Sequence, residues 1–201
     1  MYRVLEGKLA MGYKVPAGIS GRHVHLTESQ FETLFGKGKT LTVFKPLSQP
    51  GQFAAEEKVD VVGPRGTLTD LRVIGPFRSH HQVELCMTDC FNSGIEPVLR
   101  RSGHFEGTPG CRLIGPAGEL ELTDGVMVNE RHLHVSAAQA EEAGLKEGQL
   151  VTIKFGGARG IIFENVIVRA GDGNELDFHI DIDEANAGCI HTGDSGEIIE
   201  L

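Results

Sequence analysis

The residues best suited to chemistry in this 201-residue chain are two His-x-His pairs. His23 and His25 lie in Arg22-His23-Val24-His25-Leu26, and His132 and His134 in Arg131-His132-Leu133-His134-Val135. On a β-strand, residues i and i+2 project from one face, so each pair presents two imidazoles side by side. Zinc favours imidazole nitrogen, thiolate sulfur and carboxylate oxygen, and a catalytic zinc keeps three protein ligands and an open position. Each half of the chain offers a third ligand at a matching place. Glu84 lies thirteen residues beyond Leu71 in Leu71-Arg72-Val73, and His179 lies thirteen beyond Val166 in Val166-Ile167-Val168. The spacing therefore predicts two zinc triads, His23/His25/Glu84 and His132/His134/His179. One His-x-His alone is more often an ordinary strand whose histidines bond their neighbours. Two copies, each preceded by arginine and each paired with a third ligand, favour metal.

The elements that must position these side chains repeat with an offset of 109 residues, from Arg22 to Arg131. Thr27-Glu28-Ser29-Gln30 and Ser136-Ala137-Ala138-Gln139 both fit a capping box, in which a hydroxyl caps the third helical N–H and the glutamine reaches back. Each half reads as a strand, a cap and a short helix, stopping at Gly36-Lys37-Gly38 in one half and at Gly144 or Gly148 in the other. Hairpins with glycine-bearing turns follow, at Gly63-Pro64-Arg65-Gly66 and at Gly156 to Gly160. An extra loop, Pro46 to Phe53, belongs to the first half only. Glycines and prolines crowd between Gly103 and Gly118, so the chain is divided there into halves 1–106 and 107–201. The predicted fold class is mainly β, with two similar β-barrel domains carrying short capping helices and related by internal duplication.

Composition limits the function classes. The 40% of hydrophobic residues can supply real cores, and 27 glycines without tryptophan fit short strands joined by tight turns. A formal charge of −9 argues against nucleic acid as a partner, because a phosphate backbone needs clustered lysine and arginine. Two or three local arginines suffice for a small phosphorylated ligand. The four cysteines contain no C-x-x-C pair and read as reduced thiols. No apolar run approaches a membrane span, and Glu6, Gly7 and Lys8 interrupt the N-terminal apolar residues, so a cytoplasmic protein without membrane association is expected.

Other candidates carry less. His80 and His81 adjoin Glu84, but neighbouring strand residues face opposite ways, so at most one joins a site. His104 and His191 sit in glycine-rich loops facing solvent. Cys86, two residues from Glu84, is a rival ligand or a small core residue. Asp177, Asp181 and Asp183 alternate along one strand and read as an acidic solvent face.

With these motifs in view, the chain resembles the PduL family of phosphate acyltransferases from about Val15 to Ala187. The resemblance rests on R-H-V-H-L at Arg22 to Leu26, Q-P-G-Q-F-A at Gln49 to Ala54, Q-V-E at Gln82 to Glu84, R-H-L-H at Arg131 to His134, and H-I-D-x-D-E-A-N-A at His179 to Ala187. It implies two β-barrel domains with the active site between them, a homodimer, and two zinc ions on the triads named above. It implies a phosphate-binding, catalytic Arg78. Coenzyme A contacts carry over to Ile19, Ser20, Gly21, Arg65, Arg72 and Asn186. Gly21 stands where the family usually has asparagine, so no side-chain contact is available there. Transfer of an acetyl or propanoyl group between coenzyme A and phosphate is the expected activity, with a dinuclear zinc hydrolase as the rival. Family members in bacterial microcompartments tend to carry a longer amphipathic N-terminal extension, and free cytosol is favoured here.

Overall fold

The structure is a computed structural model that describes residues 12–200. The N-terminal stretch read above for targeting signals lies, as far as residue 11, outside the described residues. The first half of the chain runs β1 (Lys14–Ile19), β2 (His23–His25), α1 (Glu28–Phe35), β3 (Val43–Pro46), β4 (Phe53–Val62), β5 (Thr67–Gly75), β6 (Gln82–Leu85), α2 (Met87–Ser93) and β7 (Leu99–Arg100). Then come β8 (Cys111–Ile114), β9 (Glu119–Leu122), β10 (Val126–Asn129), β11 (His132–Val135) and α3 (Ala137–Glu142). The last elements are β12 (Leu150–Phe155), β13 (Ile161–Ala170), β14 (Asp177–Ile180), α4 (Ile182–Gly188) and β15 (Ser195–Ile199).

The chain forms two compact units. One comprises Gly21–Glu130 with Asp181–Asp183, and the other comprises, among the described residues, 12–20, Arg131–Ile180 and 184–200. The boundary after residue 106 expected from glycine and proline is therefore corrected. Residues 107–130 stay with the first unit, because β8 pairs with β4 and β10 pairs with β6. The N-terminal strand β1 goes to the other unit, where it pairs in parallel with β14 and antiparallel with β15. Burial fixes that choice, since Val15 and Ala17 join a core with Leu133, Phe178 and Ile198.

The duplication survives as an exchange of leading strands. In one unit the strand order is β7-β10-β6-β2-β5-β4-β8-β9, and in the other it is β1-β14-β11-β13-β12-β15. In each, the strand just before a His-x-His motif has left its own half and lies beside the strand carrying the other half's third candidate ligand. The units differ at the edge. β15 closes onto β1 to make a six-stranded barrel, whereas β8 turns at Gly115 to Gly118 and pairs with β9, leaving a nine-stranded sheet unclosed.

Both capping boxes form. Gln30 N–H donates to Thr27 Oγ1 at 3.2 Å and Thr27 N–H to Gln30 Oε1 at 3.1 Å, while the Ser136/Gln139 pair repeats this at 3.2 and 2.9 Å. The helix α1 ends at Gly36, whose φ of 105° few other residues adopt. Both predicted hairpin turns, between β4 and β5 and between β12 and β13, are present.

Candidate metal centres

The first triad is assembled by strand register. β2 pairs antiparallel with β6, placing His23 opposite Glu84 and His25 opposite Gln82. His25 and Glu84 are buried, and His23 is half-buried. The Nδ1 of His23 lies 2.8 Å from Gly21 O, and that of His25 lies 3.1 Å from Ile74 O. A carbonyl oxygen only accepts, so both Nδ1 atoms carry the ring proton in the neutral imidazoles and both Nε2 lone pairs remain. Those Nε2 atoms face each other at 3.2 Å, and His23 Nε2 is 3.5 Å from Glu84 Oε1. Facing lone pairs repel unless a cation or proton lies between them, which is the chemistry of a divalent metal site.

Outer contacts hold the carboxylate. Asn129 Nδ2 donates to Glu84 Oε2 at 3.0 Å, and Gln82 Nε2 donates to Glu84 Oε1. Burial alone favours the neutral acid, but His23 and then His25 keep the Glu84 carboxyl well below its usual range. Burial also opposes charging His23, yet Glu84 raises its pKa overall. His25 is driven well below the ordinary histidine value by burial, by His23 and by the Arg78 guanidinium. Arg78 lies in the segment after β5, its N–H anchored to Leu26 O at 2.9 Å. Its positive charge acts on both histidines of this triad.

The second triad repeats the scheme on β11 and β14, where His132 faces His179 and His134 faces Asp177. The ring centroids of His132, His134 and His179 lie 4.8 to 5.1 Å apart in edge-on arrangements. Burial, with His132 and His179 adding to it, pushes the His134 pKa down to about 3. His134 Nδ1 is buried without a hydrogen-bond partner. A neutral imidazole with an unpartnered buried nitrogen fits a metal ligand. In each triad the ligand atoms all lie within 4.8 Å of one another.

A third group, His80, His81 and Asp124, has similar spacing, and here the sequence reading is corrected. Both histidines precede β6, so strand alternation does not separate them, and their rings stack at 4.3 Å. Both Nε2 atoms reach Asp124 Oδ1, at 3.2 and 2.9 Å. The capping box fixes the tautomer. Gln30 Oε1 is turned to Thr27 N–H, so Gln30 Nε2 donates to His81 Nδ1 at 2.8 Å and the His81 proton sits on Nε2. A protonated nitrogen cannot ligate, and this group reads as a lock between the α1 cap and the turn before β10.

The arginines that precede both motifs make matching ion pairs. Arg22 pairs with Asp89 at 2.8 Å and Arg131 with Glu184 at 2.9 Å, each acid five residues beyond the third candidate ligand of its half. Of the candidate coenzyme residues, Gly21, Arg65 and Arg72 belong to one unit and Ile19, Ser20 and Asn186 to the other. Arg65 lies 4.8 Å over Phe91 and Arg72 lies 4.5 Å over Phe44, and both rings are exposed.

Asp177, Asp181 and Asp183 do not form an acidic solvent strand. β14 ends at Ile180, Asp177 is buried, and Asp183 accepts from Thr88 N–H at 2.8 Å. Cys86 caps the start of α2 and is buried, as a core residue would be. Burial pushes Cys86 up to about 12, burial with the Asp89 charge pushes Cys90 to about 11, and burial with Glu121 pushes Cys111 to about 12. These thiols hold almost no thiolate at neutral pH, which leaves them without nucleophilic character. Native-state treatment with iodoacetamide at pH 8, read by peptide mass spectrometry, should modify exposed Cys189 first and spare the other three.

Comparison with known proteins matches the chain to a family. The phosphate propanoyltransferase profile matches residues 16–191. The phosphate propanoyltransferase of Thermotoga maritima is 47% identical over 185 residues, covering 92% of this chain and 88% of that protein. That of Salmonella typhimurium is 46% identical over 174 residues, covering 86% and 82%. That of Rhodopseudomonas palustris is 43% identical over 182 residues, covering 90% and 80%. The matched region contains both His-x-His motifs, Glu84, His179 and Arg78, and the chain belongs to the phosphate propanoyltransferase family.

Proposed function

We propose that this protein moves a short acyl group, acetyl or propanoyl, between coenzyme A and inorganic phosphate, with zinc on both triads. The observation that carries this reading is the first triad, two of its three side chains buried, with two Nε2 lone pairs at 3.2 Å and the Arg78 charge acting on it. A bound zinc ion supplies a Lewis acid that neutralises phosphate charge, polarises a carbonyl and favours a departing thiolate. The chain's own residues supply the rest. Arg78 binds phosphate through a planar pair of donors and orients one oxygen for attack on the thioester carbonyl. The new C–O bond replaces the C–S bond, and coenzyme A leaves as thiolate. Gln82 and Asn129 hold the Glu84 carboxylate in one orientation, so His23, His25 and Glu84 need not reorganise during transfer.

Direct transfer without an acyl-enzyme agrees with the suppressed thiols Cys86, Cys90 and Cys111. Coenzyme A is assigned to Ile19, Ser20, Gly21, Arg65, Arg72 and Asn186, with the two arginines facing its phosphates. A homodimer fits the exposure of Met87 and Phe91, four residues apart on α2. A cytoplasmic location accords with four free cysteines, and among the described residues no helix is long and apolar enough to cross a membrane. The test is thioester loss from acetyl-CoA and propanoyl-CoA with and without phosphate. Loss that requires phosphate and yields acyl phosphate supports the reading, and loss in phosphate-free buffer assigns a hydrolase instead.

A further inference from the structure

The strand β14 places a carboxylate next to the second histidine cluster. Asp177 lies two residues before His179 on the same face, directly across from His134, and its side chain is only 8% exposed. Asp177 Oδ2 is 2.9 Å from His179 Nε2. The fold makes room for this carboxylate. β1 passes alongside with Gly18 opposite His179, and a Cβ at Gly18 would lie 2.4 Å from Asp177 Oδ1 and 2.7 Å from its Cγ. No side chain larger than hydrogen is compatible with the carboxylate where it stands.

The other unit shows what this position does. Gln82 occupies the equivalent place, across from His25 and two residues before Glu84, and its amide Nε2 donates to Glu84 Oε1. Where the third ligand is a carboxylate, the residue two before it is a donor. Where the third ligand is an imidazole, it is an acceptor. Each partner is chemically complementary to the ligand beside it.

We propose that Asp177 is a positioning residue for the second metal centre, accepting His179 Nε2–H and so leaving His179 Nδ1 as the nitrogen that faces the metal. This inference rests on the metal reading above. It places a negative charge beside a cluster that otherwise holds three neutral ligands, as Glu84 supplies one to the first. The ring orientation is opposite to that of His23 and His25, whose Nδ1 atoms carry the proton.

The experiment measures zinc bound per chain against a competing chelator, and the visible absorption of the cobalt-substituted protein, for the wild type, Asp177→Ala, Asp177→Asn and Gly18→Ala. Circular dichroism checks that each is folded. The wild type is expected to hold two metals. In Asp177→Ala one of the two should weaken by roughly 10–100-fold, the usual cost of removing an outer-shell partner. Asp177→Asn keeps an oxygen acceptor, so it should hold both metals more tightly than the alanine variant, with the cobalt bands unshifted. Gly18→Ala keeps every ligand and Asp177 itself, yet should weaken the same metal by displacing the carboxylate. Unchanged affinity in Asp177→Ala, while the wild type holds two metals, overturns this inference alone. So does an Asp177→Asn protein that loses metal as fully as the alanine variant with shifted cobalt bands, which would make Asp177 a direct ligand. A wild type that binds no divalent metal overturns the zinc reading and this inference together.

Discussion

Glu84→Gln is expected to lower kcat/KM for phosphate-dependent acyl transfer by about three orders of magnitude and to release one of two bound metals. The substitution keeps size and an oxygen but removes the negative charge. An amide is a poor zinc ligand, and two imidazoles alone do not retain the ion. A catalytic metal contributes several kcal/mol of charge stabilisation, and about 4 kcal/mol corresponds to about 10³ in rate. The surroundings make the loss more severe. Gln82 and Asn129 both donate hydrogen bonds to the Glu84 carboxylate, and an amide nitrogen at position 84 would meet one of these donors with another. The measurement pairs initial rates with metal content. Full activity at half the metal content would remove the first triad from the reaction.

Arg78→Ala should lower kcat/KM with phosphate as the varied substrate by on the order of 10²–10³, the effect of deleting one preorganised donor from a polar site. The metal content should be unchanged, because Arg78 is not a ligand. Its charge currently opposes protonation of both His23 and His25, so its removal relieves repulsion at the triad. Arg78→Lys should recover part of the loss, retaining charge without the planar fork. The discriminating quantity is the phosphate KM. A rise in KM with impaired turnover assigns phosphate to Arg78, and lost activity with unaltered phosphate dependence places the residue elsewhere.

Much of the site was legible because strand chemistry is local. The i, i+2 rule brought His23 with His25 and His132 with His134, and the internal repeat pointed to Glu84 and His179, which register then set opposite the first histidine of each pair. Hydroxyl and glutamine spacing located the caps of α1 and α3. What stayed hidden depends on pairing between distant strands. Nothing around Lys14–Ile19 reveals that this strand pairs with β14 and β15 rather than within its own half, so the domain boundary was misplaced. The glycines between 103 and 118 mark tight turns within one unit, not a division. Alternating acids look solvated in the sequence, and only Gly18, which makes space behind the carboxylate, reveals that Asp177 is buried. The roles of Arg22 and Arg131 were equally invisible, since their partners Asp89 and Glu184 lie on other elements.

The most direct test of the account is metal analysis of the purified chain coupled to activity. Two zinc ions per chain, not three, are expected, because Gln30 donates to His81 Nδ1 and leaves the ring hydrogen on Nε2, so the His80/His81/Asp124 group stays metal-free. Chelation should abolish phosphate-dependent cleavage of acyl-CoA, and added zinc should restore it. A fully active protein containing no divalent metal, or one indifferent to chelation, would contradict the account.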